Sequence, residues 1–160
     1  MKGFFTSLLI FGSFWAHAQD FSFGKIKKKD FAIDISKLDT AANAFVIREY
    51  GSAQVNYTSH TGLIVEFVKH VRIKILNKEG YNYANFTIPL YKSGNDREVV
   101  TDIKAASYHL QGEKVIETEM TKANVFNENS SENISLTKAA IPQVQEGTII
   151  EYRYKTESPF

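Results

Sequence analysis

The fold class follows from one stretch of this 160-residue chain, His70-Val71-Arg72-Ile73-Lys74-Ile75-Leu76-Asn77-Lys78-Glu79-Gly80. Apolar and polar residues alternate along it as far as residue 75, and the alternation begins near Val65. Successive side chains of a strand point to opposite faces of a sheet, so this period of two predicts a long, half-buried strand. One face would be core and carry Val65, Phe67, Val71, Ile73 and Ile75. The other would be solvated and carry Glu66, His70, Arg72 and Lys74.

The rest of the chain repeats this pattern of strands and turns. Asn77 to Gly80 reads as a turn that places Gly80 at positive φ, followed by a return strand over residues 81–90. Other predicted strands cover residues 45–50, 53–58, 99–110, 114–120, 134–140 and 148–156, with hairpin turns at 51–52 and 111–113. Short helical turns are expected only near residues 30–33 and 39–42. The prediction is one all-β domain, an antiparallel β-sandwich-like two-sheet structure with little helix, over residues 19–160.

The first 18 residues have the features of a secretory signal peptide. A positive start at Lys2 precedes an apolar run over residues 4–15, and the small-x-small pattern Ala16-His17-Ala18 follows. The run is shorter than the ~20 residues that a membrane-spanning helix needs. We therefore expect cleavage between Ala18 and Gln19, no membrane span in the mature chain, and an exported protein.

Composition excludes several classes of site. The chain has no cysteine, so it cannot supply a thiol nucleophile, a disulfide or a zinc–thiolate site. Its 19 basic and 18 acidic side chains nearly cancel, so its net charge does not favour nucleic acid as a partner. No glycine-rich phosphate loop or carboxylate-dense calcium loop is present, and we expect no metal and no cofactor.

Candidate binding residues are few. The histidines beyond residue 18, at positions 60, 70 and 109, do not form a pair at metal-ligand spacing. His70, Arg72 and Lys74 share the predicted polar face and are binding candidates, as is Tyr83 in a tyrosine-rich stretch. Glu117 and its neighbour two residues on read as a solvated stripe rather than a glycosidase pair. No serine stands in a glycine-framed elbow, so no catalytic residue is predicted.

Three segments carry a family resemblance: residues 70–80, Tyr83-Ala84-Asn85-Phe86, and Glu146-Gly147-Thr148-Ile149-Ile150-Glu151-Tyr152. From about Asp39 to Phe160 the chain resembles the uncharacterised N-terminal β domain of exported bacterial transglutaminase-like proteins. Family members continue past a serine-proline-aromatic junction into more β structure and a domain with a cysteine, a histidine and an aspartate. The resemblance transfers no residue role to the matching positions Arg72, Lys74, Asn77, Gly80, Asn85, Gly147, Glu151 and Tyr152.

The resemblance implies a non-catalytic module that packs against or positions a downstream transglutaminase-like domain of the same polypeptide. It also implies export to the periplasm or surface of a Gram-negative bacterium, and a chain that is the N-terminal fragment of a longer protein. The alternative is a module that binds envelope glycan or peptide through its tyrosines and the polar face of the long strand. A catalytic reading would require a buried, mutually hydrogen-bonded histidine and carboxylate in a pocket.

Overall fold

The structure is a computed structural model that describes residues 21–35, 39–59 and 62–160. The predicted signal peptide, with its cleavage site at Ala18 and Gln19, and His60 lie outside these ranges. Within them the chain forms one short α-helix, two 3-10 helices and nine strands. The helices are α1 (Lys28–Phe31) and the 3-10 turns Lys78–Ala84 and Lys122–Asn124. The strands are β1 (Ala44–Thr58), β2 (Gly62–Ile75), β3 (Asn85–Ser93), β4 (Asp96–Arg97), β5 (Val99–Gln111), β6 (Lys114–Glu119), β7 (Val125–Asn129), β8 (Ile134–Ala140) and β9 (Ile149–Ser158).

The strands form two antiparallel sheets, as the sequence predicts. The larger sheet has the order β1-β2-β9-β5-β6, and the smaller has the order β4-β3-β8-β7. β9, the last strand of the chain, lies between β2 and β5, with Ile73 opposite Ile150. The sheet therefore joins residues about 80 positions apart in the sequence.

The inner face of the larger sheet packs against the smaller sheet. Its core includes Val71, Ile73 and Ile75 of the predicted apolar face, together with Ile150 of β9, all at most 4% exposed. Phe86 of β3 stacks on Tyr152 of β9, with 4.3 Å between ring centroids. The chain has no disulfide bonds. Its stability therefore depends mainly on the removal of these apolar side chains from water.

The outer face of the larger sheet is also covered, which corrects the prediction of a solvated polar face. The segment of residues 21–35, here called the strap, lies across it and packs a second core around Ala106, Tyr108 and Ile149. His70 is fully buried, and Arg72 is 7% exposed. The predicted core face is confirmed for Val71, Ile73 and Ile75, but Phe67 is 38% exposed, whereas Val68 on the opposite face is buried. His70, Arg72 and Lys74 face the strap rather than solvent.

Three local predictions also need correction. The hairpin at Gly51 is wrong, because β1 runs through this position without a break. Residues 81–84 belong to a 3-10 helix, so the return strand begins at Asn85. Gly80 does not have positive φ. Its place is restricted by space, since a Cβ atom there would lie 2.2 Å from the backbone oxygen of Asn43.

Other local predictions are confirmed. β8 covers residues 134–140 as predicted, and β5 and β6 form the second hairpin, with Gly112 at a φ of 60°. The helical turn near Asp30 exists but covers Lys28–Phe31 instead of residues 30–33, and residues 39–42 do not form a helix. The Asp30 carboxylate accepts a hydrogen bond from the backbone N–H of Lys27 at 2.8 Å, which caps the turn.

Candidate functional site

A fully buried carboxylate, Glu151, organises the outer face of the larger sheet. Its Oε1 lies 2.8 Å from Nε2 of His70 and accepts a hydrogen bond of 2.9 Å from a terminal guanidinium nitrogen of Arg72. Its Oε2 accepts a hydrogen bond of 3.0 Å from the backbone N–H of Gly24 in the strap. These four residues are here called the Glu151 cluster. β2 and β9 bring its side chains together because Arg72 and Glu151 are directly opposite in the ladder.

The strap closes the Glu151 cluster with an aromatic ring. Phe21 stacks on His70 with ring centroids 3.7 Å apart and planes 18° apart. The guanidinium carbons of Arg48 and Arg72 each lie 5.0 Å from the centre of the Phe21 ring, within the range of a cation–π contact. Phe23 also faces His70, at 5.8 Å. The ring of Phe21 therefore excludes solvent from the imidazole.

Backbone geometry in the strap makes the contact with Glu151 possible. Gly24 has a φ of 77°, in the left-handed region that favours glycine. This conformation directs its N–H at the carboxylate, while Arg72 donates longer hydrogen bonds of 3.4 Å to the backbone oxygens of Ser22 and Lys25. Arg72 thus bridges the carboxylate and the strap, although its Nε has no hydrogen-bond partner among the described residues.

Lys74 fastens the far end of the strap. Its Nζ donates hydrogen bonds to the backbone oxygens of Phe31 and Ile33, at 2.7 and 2.6 Å. These oxygens belong to the end of α1 and the residues after it, where helix carbonyls lack partners within the helix. Burial lowers the pKa of the Lys74 ammonium, and the charge of Asp34 opposes that shift.

Three of the four predicted binding candidates lie together, and the fourth, Tyr83, lies elsewhere. His70, Arg72 and Lys74 lie in a row on β2 and all hold the strap. Tyr83 lies in the 3-10 helix Lys78–Ala84, where half of its surface is exposed. His109 lies beside Thr148, with 3.2 Å between its Nδ1 and the threonine hydroxyl.

The outer face of β6 differs in part from its prediction as a solvated stripe. Glu117 accepts a hydrogen bond of 2.9 Å from the hydroxyl of Tyr108, whose pKa is raised by burial and by this carboxylate. The neighbouring cleft is lined by Glu117, Glu119, Lys104 and the strap residues Phe23 to Lys25. Its acidic groups are balanced by lysines, and the cleft lining does not include His70 or Glu151.

The Glu151 cluster has the histidine–carboxylate pair that a catalytic site would need, but its geometry suits another role. Both side chains have no exposed surface, and the strap lies between them and solvent. Buried charges require partners, and here a carboxylate is paired with a guanidinium, an imidazole and a backbone N–H. In the folded chain, this arrangement holds the strap on the sheet.

Sequence reasoning missed the strap and Glu151. The alternation in β9 places Glu151 on the face opposite Ile150, and it is a single acid between apolar residues of a central strand. A single charged residue at such a position indicates that its partners are buried as well. His70 and Arg72, on one face of β2, are two of those partners, and the backbone N–H of Gly24 in the strap is the third.

A second unusual region is the tip half of the β1–β2 hairpin. Val55, Tyr57, Leu63 and Phe67, here called the hairpin face, alternate onto the same side of the sheet as Val71. They are 68%, 77%, 66% and 38% exposed. Large apolar side chains grouped on one surface are typical of a site where another protein segment binds.

Two further features are absent from residues 21–35, 39–59 and 62–160. In that part of the chain, no three histidine, aspartate or glutamate side chains are grouped as a metal site would require. None of the helices described there is long and apolar enough to cross a membrane.

Comparison with known proteins supports the fold. No protein-family model matches the chain, and no curated protein matches it. Among solved structures, the chain is similar to the crystal structure of a "putative protease" from Parabacteroides distasonis, with a TM-score of 0.54 and 9% sequence identity. The likeness covers 72% of this chain and 23% of that chain. The chain therefore shares a β architecture with less than a quarter of a longer protein, and at this identity the likeness concerns the fold alone.

Proposed function

We propose that this chain is a non-catalytic β module of an exported protein, and that it positions a transglutaminase-like catalytic domain that follows it. The observation that carries the proposal is the extent of the structural likeness. Most of this chain corresponds to 23% of a protein described as a "putative protease". A match to less than a quarter of a longer protein is the match expected for one module of a larger polypeptide.

The geometry of the Glu151 cluster supports the non-catalytic part of the proposal. The chain has no cysteine, so the nucleophile of a transglutaminase-like reaction has to come from elsewhere. His70 and Glu151 form the only fully buried histidine–carboxylate pair in the part of the chain that the structure describes, and the strap covers both side chains. Both side chains contact the strap and hold it on the sheet.

The same geometry disfavours the alternative of an envelope-binding module. That hypothesis used the polar face of β2 as a platform, and Arg72 and Lys74 instead donate their hydrogen bonds to Glu151 and to strap carbonyls. Tyr83 is an exposed aromatic side chain in the 3-10 helix Lys78–Ala84 rather than on the polar face of β2. The residues that would have formed the platform do not converge on a cleft.

The first test is to read the gene beyond the codon for Phe160 and to express the whole product. We expect an open frame that encodes a cysteine and, later, a histidine and an aspartate. Amide hydrolysis or transamidation by the whole protein should be abolished when that cysteine is replaced by alanine. The His70→Gln variant, assayed below its melting temperature, should keep the wild-type kcat. A stop codon after Phe160, or loss of kcat in a folded His70→Gln variant, would refute the proposal.

A further inference from the structure

The strands of the β1–β2 hairpin are longer than β3 and β8 of the smaller sheet, which have 9 and 7 residues. β1 has 15 residues and β2 has 14, so the hairpin is roughly 45–50 Å long. On the face of β2 that carries Val71, Leu63 is 66% and Phe67 is 38% exposed, Val65 between them is half-buried, and Val71 is 3% exposed. The smaller sheet therefore covers one half of this face and leaves the hairpin face open.

The hairpin face lacks the features that protect exposed sheets. β1 is an edge strand, and residues 53–58, Ala-Gln-Val-Asn-Tyr-Thr, contain no charge and no proline. Exposed edge strands usually carry lysine, proline or a bulge that prevents pairing with other chains. β1 does have a bulge, between Val46 and Arg48, but it lies in the other half of the strand. An uncharged apolar face of this kind fits a permanent partner better than open solvent.

The end of β9 lies beside this surface. Thr156 pairs with Phe67 and Ser158 pairs with Val65, so β9 runs along the tip half of β2. Phe160 then packs edge-on against Tyr91 of the smaller sheet, with ring centroids 5.0 Å apart. The backbone thus turns toward the side of the larger sheet that carries the hairpin face.

We infer that the hairpin face is the docking surface for the polypeptide that follows Phe160. The inference rests on the proposed function, since it requires that such a polypeptide exists. The occupant fits the surface by chemistry as well as by position, because an uncharged face of valine, leucine and aromatic side chains binds an apolar segment. The smaller sheet already covers the adjoining half of the same face in this way.

The absence of cysteine allows a direct test by thiol labelling. Tyr57→Cys introduces one thiol on the hairpin face. The matched control Gln54→Cys introduces one on the opposite face of the same strand, at an exposed position. Each is made in the 160-residue chain and in the whole gene product with its own cysteines replaced by serine. Leu63→Cys is a second probe if Tyr57→Cys changes the circular dichroism spectrum.

Both thiols should react with maleimide at similar rates in the 160-residue chain. In the whole protein, Tyr57→Cys should react at least tenfold more slowly, and Gln54→Cys should be unchanged. Equal rates in a whole protein that has the catalytic domain would overturn this inference and leave the proposed function standing. A stop codon after Phe160 would overturn both. Slow labelling of the 160-residue chain that becomes fast on dilution would assign the hairpin face to a second copy, which also overturns the inference.

Discussion

The two faces of the larger sheet are buried by different means. The inner face is covered by another sheet, and its core residues, such as Ile73 and Ile150, contribute through apolar area. The outer face is covered by 15 residues of strap, which are held by the Glu151 cluster, by Lys74 and by a smaller apolar cluster. Apolar contacts tolerate small rearrangements, whereas a buried charge network depends on each member. The outer face should therefore be the more sensitive to single substitutions.

The largest effect is expected for Glu151→Ala. The substitution leaves the Arg72 guanidinium and the His70 imidazole buried without their carboxylate, which costs about 3–5 kcal/mol of unfolding free energy. The measurement is urea denaturation followed by circular dichroism. Glu157→Ala is the matched control, because Glu157 lies on the same strand and face but in a partly exposed pair with Lys155. Its cost should be below about 1 kcal/mol.

The same variant also tests whether the strap opens separately. Lys25, Lys27, Lys28 and Lys29 make the strap a substrate for trypsin once it detaches. Under native conditions Glu151→Ala should be cut there first, because the strap loses a hydrogen-bonded anchor while the inner core is intact. If the strap is cut no faster than in the wild type, the Glu151 cluster does not hold it.

The adjacent residue gives the second prediction. Ile150 points to the inner face, and Ile150→Ala should lower the free energy of unfolding by about 3 kcal/mol through lost burial and the resulting cavity. Trypsin cleavage in the strap should rise only in proportion to global unfolding. Urea denaturation and the proteolysis assay can be run on both variants side by side. Preferential strap cleavage in Ile150→Ala would mean that the two faces are not independent.

The contrast between the faces also explains what the sequence could reveal. Alternation in β2 identified the inner core because that core needs only apolar residues at every second position. The same alternation says nothing of what covers the other side. Arg72 contacts the strap 47 and 50 residues away, and Glu151 lies 79 residues along the chain. Such long-range pairing leaves no local periodicity, so a polar row was read as a solvated one.

Turn-forming residue types were also a limited guide to the structure. Gly51 and Ser52 have turn-forming residue types, yet β1 continues through them because β2 pairs with it along its whole length. Gly80 was identified correctly as a position that requires glycine, but for the wrong reason. The requirement comes from the Asn43 backbone, which is close in space and which no pattern around Gly80 reveals.

The third prediction concerns this contact at the end of the inner core. Gly80→Ala should cost about 2 kcal/mol, because its Cβ would displace the Asn43 oxygen, which accepts a hydrogen bond from Leu76. Gly112→Ala is the control, since Gly112 has positive φ and open space around it. Strain alone should cost the control roughly 1 kcal/mol. Thermal denaturation of both variants checks the order, and a larger loss for Gly112→Ala would contradict it.

The smallest effect concerns Tyr108, which tests the outer face through pH. Burial and the Glu117 carboxylate raise the pKa of the Tyr108 hydroxyl, so above pH 10 the unfolded chain loses a proton that the folded chain retains. The contribution of Tyr108 to the free energy of unfolding is therefore fully present below pH 10 and falls as the pH rises beyond it. In Tyr108→Phe this fall should be less steep by up to about 1.4 kcal/mol per pH unit, whereas the loss at pH 7 should be about 1 kcal/mol from the missing hydrogen bond.

Burial also raises the pKa of Tyr152 on the inner face, so part of the alkaline fall will persist in the variant. Urea denaturation between pH 8 and 11 measures both slopes, and identical slopes would mean that Tyr108 ionises freely beneath the strap.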